Sequence, residues 1–335
     1  MTWNVLVTGA AGMLGRKLAA ALIRTPELAG RRIVRLTLTD QDLPQTQDSG
    51  PVAACVLVEN LVADLSQPGV EAAVIESRPN LIFHLSAVVS GEAEADFEKG
   101  YRVNLDATRS LFDAIRTAGA GYRPRVVFAS SVAVFGPPLP EVIEDNQCLR
   151  PLSSYGTQKA IGELLLADYT RRGFLDGIGI RLPTISIRPG APNKAVSGFF
   201  SSILREPLIG QQAVLPVSET VRHWFASPRA AVRFLLQAVP LDTARLGYMR
   251  TLNMPGLSAT VADQIDALRR IAGEQAVGLI RREPDPAVAA IIESWPRRFN
   301  AGRAEALGFQ AENSFDEIIR VHIEDELGGA LPTAK

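Results

Sequence analysis

The 335-residue chain carries 35 Lys and Arg against 36 Asp and Glu, a formal net charge of −1, with 47% hydrophobic and 21% charged residues. That balance excludes a disordered chain and a charge-driven nucleic-acid binder. The length fits one large α/β domain or a core with an appended lobe. No apolar run approaches the ~18 residues needed to span a bilayer, and Met1-Thr2-Trp3-Asn4 lacks the basic stretch of a signal peptide. A soluble, cytoplasmic protein is expected. Cys55 and Cys148 form no Cys-x-x-Cys pair, and there are three histidines, His84, His223 and His322. Neither a disulfide framework nor a zinc cluster is supported, so no metal is expected.

Trp3-Asn4-Val5-Leu6-Val7-Thr8 reads as a short buried strand, and Leu14, Leu18, Ala21 and Leu22 as one face of a helix. Between them runs Gly9-Ala10-Ala11-Gly12-Met13-Leu14-Gly15. Strand, glycine turn and helix in that order suit a dinucleotide site. Gly9 permits the tight turn, Gly12 lets backbone approach a pyrophosphate, and Gly15 lets helix pack on strand. The helix start, Met13 and Leu14, then presents N–H groups and a positive dipole end to phosphates.

A second strand, Ile33 to Thr39, ends at Asp40, with a loop containing Pro26 and Gly30 predicted over Thr25 to Arg32. A carboxylate at that strand end accepts both hydroxyls of an adenosine ribose and repels a 2′-phosphate. A solvated Asp opening a turn is the competing reading. Gln41, Asp42 and Leu43 follow, with no Arg or Lys to receive a phosphate, so NAD is expected over NADP. Past the apolar run Ala54 to Val58, Asp64-Leu65 is read either as a contact for the adenine edge or, with Ser66, as a helix N-cap.

The alternation continues with a strand at Leu81–Leu85, a helix over Tyr101–Ala118, a strand at Arg125–Ala129, a helix over Tyr155–Thr170 and a sixth strand at Ile178–Leu182. Repeated βαβ units predict a Rossmann doubly wound parallel sheet. Beyond Pro189 the prolines at 192, 207, 216, 228 and 255 break the regularity, which predicts a smaller, mixed α/β lobe. The expected division is 1–188, joined by about 223–254, for the Rossmann domain, and 189–222 with 255–335 for a substrate lobe. His84, at a strand end, reads as a satisfied core histidine.

Chemistry is expected at the carboxyl ends of the parallel strands. There the strand Arg125–Ala129 runs into Ser130-Ser131, and the next helix carries Tyr155-Gly156-Thr157-Gln158-Lys159. A spacing of four puts Tyr155 and Lys159 on one helix face, where an ammonium favours the ionised phenol. A Tyr pKa of about 10 is too high for a base at neutral pH, so this neighbour does part of the lowering. Ser131 then holds the substrate oxygen. A surface helix with a chance Tyr-x-x-x-Lys is the bland alternative.

Together, the glycine turn, Asp40, the Ser-Ser pair and Tyr155/Lys159 resemble the extended short-chain dehydrogenases/reductases, the NAD-dependent epimerase/dehydratase superfamily. The resemblance covers nearly the whole chain. It implies that Tyr155 is the acid/base, that Lys159 also binds the nicotinamide ribose, and that Ser131 orients the reacting hydroxyl. Phe135-Gly136 occupies the usual Tyr-Gly slot, which removes one hydroxyl. The resemblance also places Leu85, Ala87, Asn104 and Pro183 on the cofactor. It further implies a homodimer through the helices around Tyr101–Ala118 and Ser154–Thr170.

Segments 88–97, 155–161 and 181–195 look like the D-erythronate dehydrogenase branch of that superfamily. The branch implies NAD-dependent oxidation of a small 2-hydroxy sugar acid at C2. Candidate substrate residues are Ser90, Ser131, Tyr155, Thr184, Asn193 and Arg222; Arg222 survives from a run in which epimerases hold nucleotide diphosphate, although the Asp that follows it there is His223 here. A nucleotide-sugar epimerase or dehydratase with tightly held NAD is one alternative. A non-catalytic NAD sensor is the other, and it has no need of the Ser131, Tyr155 and Lys159 that this chain keeps.

Overall fold

The computed structural model describes residues 2–42, 56–119, 121–190 and 196–331. In chain order the first elements are β1 (Trp3–Thr8), α1 (Met13–Arg24), β2 (Glu27–Leu28), β3 (Arg31–Asp40), β4 (Leu57–Val62), α2 (Val70–Ile75), β5 (Leu81–His84), α3 (Ser90–Ala95) and α4 (Phe97–Gly100). A π-helical turn, Tyr101–Asp106, runs into α5 (Ala107–Thr117), followed by β6 (Arg125–Ser131), α6 (Ser154–Arg171) and β7 (Asp176–Leu182). Then come β8 (Thr184–Ile185), α7 (Phe199–Leu208), β9 (Ala213–Leu215), β10 (Arg222–Ala226), α8 (Pro228–Gln237), β11 (Thr251–Asn253) and β12 (Leu257–Thr260). The chain closes with α9 (Val261–Val277), β13 (Ile280–Arg282), α10 (Pro286–Glu293), α11 (Gly302–Glu305) and α12 (Phe315–Glu326).

Two compact units emerge: residues 1–131, 153–181 and 232–252 form one, and 132–152, 182–231 and 253–335 the other. The division differs from the expected one: the first unit's second segment ends at 181 rather than 188, so 182–188 belong to the second unit, as do 253 and 254, and two longer stretches also change sides. Residues 132–152 leave β6 and join the second unit, because Ile143 bridges Phe299 and the Asp145 carboxylate accepts the Arg303 N–H at 2.9 Å. Residues 223–231, expected to return to the first unit, lie in the second, where β10 pairs with both β8 and β12.

The first unit is built on an eight-stranded sheet in the order β11-β7-β6-β5-β1-β3-β2, with β4 also on β3. β3, β1, β5 and β6 run parallel, and so does β4 on β3. Strand order reverses between β1 and β5, the point at which doubly wound sheets open a crevice. Val5, Leu6, Val7, Leu81, Ile82 and Phe83 are fully buried. Strands covered on both faces read as continuous apolar runs, which is why β1 and β5 stand out in the sequence.

Three expectations change. The predicted loop over 25–32 holds a hairpin, with Glu27 opposite Arg32 and Leu28 opposite Arg31. Ala29 and Gly30 make its two-residue turn, both at positive φ, as such turns require. The third strand is Leu57–Val62 rather than a run centred on 54–58, of which 54 and 55 lie outside the described residues. It lies beside β3 with most side chains partly exposed, so polar Glu59 and Asn60 hide it from an apolar search. Finally, the helix expected over 101–118 opens as a π turn, because apolar spacing over one turn does not separate steps of four from steps of five.

The second unit packs β12-β10-β8 and the pair β13-β9 against α7, α9 and α12. Its core includes Phe200, Phe225, Ile265, Leu268, Phe315 and Ile319.

Candidate active site

The carboxyl ends of the parallel strands in the first unit bring the glycine turn, Asp40, the segment after His84 and Ser131 to one sheet edge. Gly9 sits at φ 72°, and a Cβ there would lie 2.7 Å from the Ser86 nitrogen. A Cβ on Gly15 would lie 2.1 Å from the Gly9 carbonyl oxygen. Gly12 is exposed and heads α1 with no side-chain cap, leaving the helix start to an external acceptor. Asp40 accepts N–H bonds from Ala11 at 2.9 Å and Gln41 at 2.7 Å, one on each carboxylate oxygen, so each keeps a lone pair for a hydroxyl. These residues fit a dinucleotide: an uncapped helix start headed by an exposed glycine for the phosphates and an acceptor at the end of β3. Asp64 caps no helix; it accepts the Ser66 N–H at 2.9 Å, and α2 starts at Val70 with Gly69 as its N-cap. Leu65 is buried.

Behind β5, hydrogen bonds fix every proton on His84. The Thr108 hydroxyl donates to the Asn104 carbonyl at 2.8 Å, so the bond of 2.9 Å between His84 Nε2 and Thr108 Oγ1 is donated by the imidazole. Nδ1 then accepts from Thr8 Oγ1 at 2.8 Å. Burial, helped by the nearby Lys159 charge, pushes the His84 pKa down to about 3, which makes it a neutral core histidine. Leu85, Ala87 and Ser90 are half-buried along the segment that follows, where Ser90 opens α3. Asn104 is turned away from open space. It accepts the Val88 N–H at 2.8 Å and donates to the Val88 carbonyl at 3.2 Å and to Gln158 Oε1 at 2.7 Å. It holds the Val88 backbone against α6, so any part it plays toward a cofactor passes through that backbone.

α6 starts where its chemistry is needed. Ser153 caps it, accepting the Gly156 N–H at 3.0 Å, which places Tyr155 in the first turn. Gly162 lets α6 lie close on β6, since a Cβ there would be 2.8 Å from the Phe128 ring. Lys159 is buried; its Nζ donates to the Ala129 carbonyl at 2.9 Å and lies 5.8 Å from the centre of the Tyr155 ring. Burial lowers its pKa to about 8, with Glu163 pulling the other way. Ser131 ends β6, half-buried like Tyr155. Sequence reasoning missed Gln158, Glu163 and Arg181. Glu163 continues the four-residue step of Tyr155 and Lys159, a signal that was present in the sequence.

In the second unit Pro183 is buried, and the Thr184 hydroxyl pairs with His223 Nε2 at 2.7 Å. His223 Nδ1 lies 3.0 Å from the Pro296 carbonyl, which only accepts, so Nδ1 carries the proton and Thr184 donates to Nε2. With that proton committed, Thr184 offers any ligand an acceptor and no donor. Arg222 is exposed, bonds the Ser258 carbonyl at 3.2 Å and lies 4.0 Å from Asp263. It lines a cavity of about 970 Å³ with Trp224, Trp295 and Arg297. Asn193 lies outside the described residues. Among the described residues no group of three or more His, Cys, Asp or Glu is placed to hold a metal, and no helix is long and apolar enough to cross a membrane.

Residues 5–239 match the profile of the NAD dependent epimerase/dehydratase family. The chain belongs to this family. It is an NAD-dependent enzyme, and the glycine turn and Asp40 are the features of the first unit that suit the family's cofactor. Along 96% of its length it is 50% identical to a D-erythronate dehydrogenase from Cupriavidus necator, covering 98% of that protein. A second D-erythronate dehydrogenase, from Haemophilus influenzae, is 41% identical over 97% of this chain and 100% of its own. The fold superposes with a TM-score of 0.94 on a solved structure described as the nucleoside-diphosphate-sugar epimerase from Agrobacterium tumefaciens, at 58% identity over 99% of this chain and 96% of the other.

Proposed function

We propose that this family member oxidises the C2 hydroxyl of a small 2-hydroxy sugar acid, D-erythronate foremost, to the 2-oxo acid. The observation that carries the reading is identity of 50% along nearly the full length of a D-erythronate dehydrogenase; the reading is supported by Lys159 Nζ, bonded to the Ala129 carbonyl near the end of β6 and 5.8 Å from the centre of the Tyr155 ring. Ser131 fixes the C2 oxygen, and Tyr155 takes its proton as the carbonyl forms. Lys159 supplies the positive charge that makes the phenol a competent base at neutral pH. NAD, when bound, would supply the hydride acceptor for C2. Gly9, Gly12, Met13, Leu14 and Gly15 take the pyrophosphate, Asp40 the adenosine ribose, and Asp64 and Leu65 border the adenine. Leu85, Ala87, Asn104 and Pro183 serve the nicotinamide half, with Asn104 acting through the Val88 backbone.

The carboxylate partner is sought among Ser90, Asn193 and Arg222. Thr184 is better suited to a substrate hydroxyl, since its own proton is held by His223. A nucleotide-sugar epimerase is the second reading, favoured by the description of the 58% identical solved structure. The two separate in one assay. NADH formation at 340 nm from D-erythronate, L-threonate or D-glycerate, with none of the UDP-glucose converted, supports the dehydrogenase; conversion of UDP-glucose with no turnover of the acids overturns it.

The reading extends to a cytoplasmic homodimer paired through α5 and α6. Leu164 on α6 is 65% exposed, an apolar side chain that such pairing would cover. Sedimentation of wild type and Leu164→Glu tests the pairing, with dissociation of the variant expected.

A further inference from the structure

Ser130, Glu163 and Arg181 form a buried cluster that the steps above do not use. The Ser130 hydroxyl donates to Glu163 Oε1 at 2.5 Å, Arg181 Nε to Oε1 at 3.0 Å, and Arg181 Nη2 to Oε2 at 2.7 Å. The side chains of Glu163 and Arg181 are only 4% and 8% exposed. Lys159 stands one helical turn before Glu163, and the Ala129 carbonyl that accepts from its ammonium belongs to the residue next to Ser130. We propose that Glu163 is a positioning residue for proton transfer: clamped by Ser130 and Arg181, its carboxylate is the buried counter-charge that keeps Lys159 cationic beside Tyr155. The inference rests on the assignment of Tyr155 and Lys159 made above.

Burying an ammonium is costly unless a negative charge is near, and burial alone drives Lys159 toward the neutral amine. A neutral Lys159 would no longer lower the phenol. On the β5 side stands His84, itself neutral, and one turn along α6 stands Glu163, whose negative charge opposes the loss of the Lys159 proton. From β7 the facing charge is Arg181, which holds the carboxylate in place. The other acids bonded to α6 are engaged at its ends. Glu94 of α3 accepts the Ser154 N–H at 2.5 Å, and Asp113 of α5 accepts from the Tyr169 hydroxyl at 2.9 Å. A purely structural role, tying β6, α6 and β7 together, would demand the same bonds but would not move the titration of Lys159 with a defined sign.

The sign is what the experiment reads. The sequence has five lysines, so the ¹³Cε resonance of Lys159 is assigned with Lys159→Met and titrated in the folded protein without substrate. Glu163→Gln removes the carboxylate and leaves an extra buried cation, so the Lys159 midpoint is expected to fall by about one pH unit. Arg181→Met leaves the carboxylate to Lys159 alone, so the midpoint is expected to rise. The alkaline limb of kcat/KM should follow each shift. Midpoints that stay at the wild-type pH, or move the same way in both variants, overturn the proposal. Should either single variant fail to fold, the double variant Glu163→Gln/Arg181→Met removes the pair as near isosteres; its midpoint is expected below wild type, and an unmoved one overturns the proposal. Failure of the underlying assignment is visible separately, as near wild-type turnover by Tyr155→Phe.

Discussion

The Asp40 carboxylate accepts the Ala11 N–H at 2.9 Å, so the residue that ends β3 also braces the glycine turn that follows β1. Two roles therefore need to be separated by mutation. Asp40→Asn keeps an acceptor for Ala11 and removes the charge, so the preference for NAD over NADP should narrow by about tenfold or more while NAD still binds. Asp40→Ala also releases the turn and should raise the KM for NAD further. Comparable kcat/KM with the two cofactors in the wild type would sink the assignment.

The glycines of the turn separate folding from binding. Gly15→Ala places a methyl 2.1 Å from the Gly9 carbonyl oxygen and 2.7 Å from Ala10 Cα, both backbone atoms. Strand and helix must part, and a loss of about 1–3 kcal/mol or more is expected, seen as a lower melting temperature. At Gly12 the nearest atom to an added Cβ is the Gly9 oxygen at 3.2 Å, and the residue is exposed. Gly12→Ala should melt near wild type yet bind NAD weakly by calorimetry. Equal melting losses in both variants would contradict this division.

How much of this was legible in the sequence follows from how local each signal is. β1, the glycine turn and α1 are contiguous, and the buried strands announce themselves as apolar runs. β2 was masked by Pro26 and by Ala29 in a left-handed conformation that alanine rarely adopts. The second unit gathers three separate segments, and that grouping rests on contacts such as Ile143 with Phe299 that no local pattern encodes. At the site, Tyr155 and Lys159 are one helical step apart and so readable. Arg181 meets Glu163, and His223 meets Thr184 and Pro296, only after folding.

Tyr155→Phe deletes the proton acceptor and keeps the ring. Turnover of the sugar acid is expected to fall by about 10²-fold or more, the usual range for a general base, with NAD affinity little changed. Lys159→Met should lower turnover and weaken NAD binding as well, because the ammonium is assigned both tasks. Steady-state kinetics with fluorescence titration of NAD checks both, and a Tyr155→Phe enzyme with near wild-type kcat would require a different base.

Acid should unfold this protein through its histidines before its carboxylates. Burial holds His84 at a pKa of about 3, aided by the Lys159 charge, and His223 at about 4, against an ordinary value of 6.5. Both are neutral in the folded state at every pH above these values, whereas the unfolded chain protonates them below about 6.5. The unfolded state thus binds more protons, so stability is full above pH 6.5 and is lost as pH falls toward 4 and then 3. Each group costs roughly 1 kcal/mol per pH unit in that window. Guanidinium unfolding at pH 7, 6 and 5 should show the loss. His84→Gln, whose amide has a donor and an acceptor for Thr108 and Thr8 but no titrating proton, should give a shallower slope, and a slope identical to wild type would show that His84 takes up its proton as readily in the folded protein as in the unfolded chain.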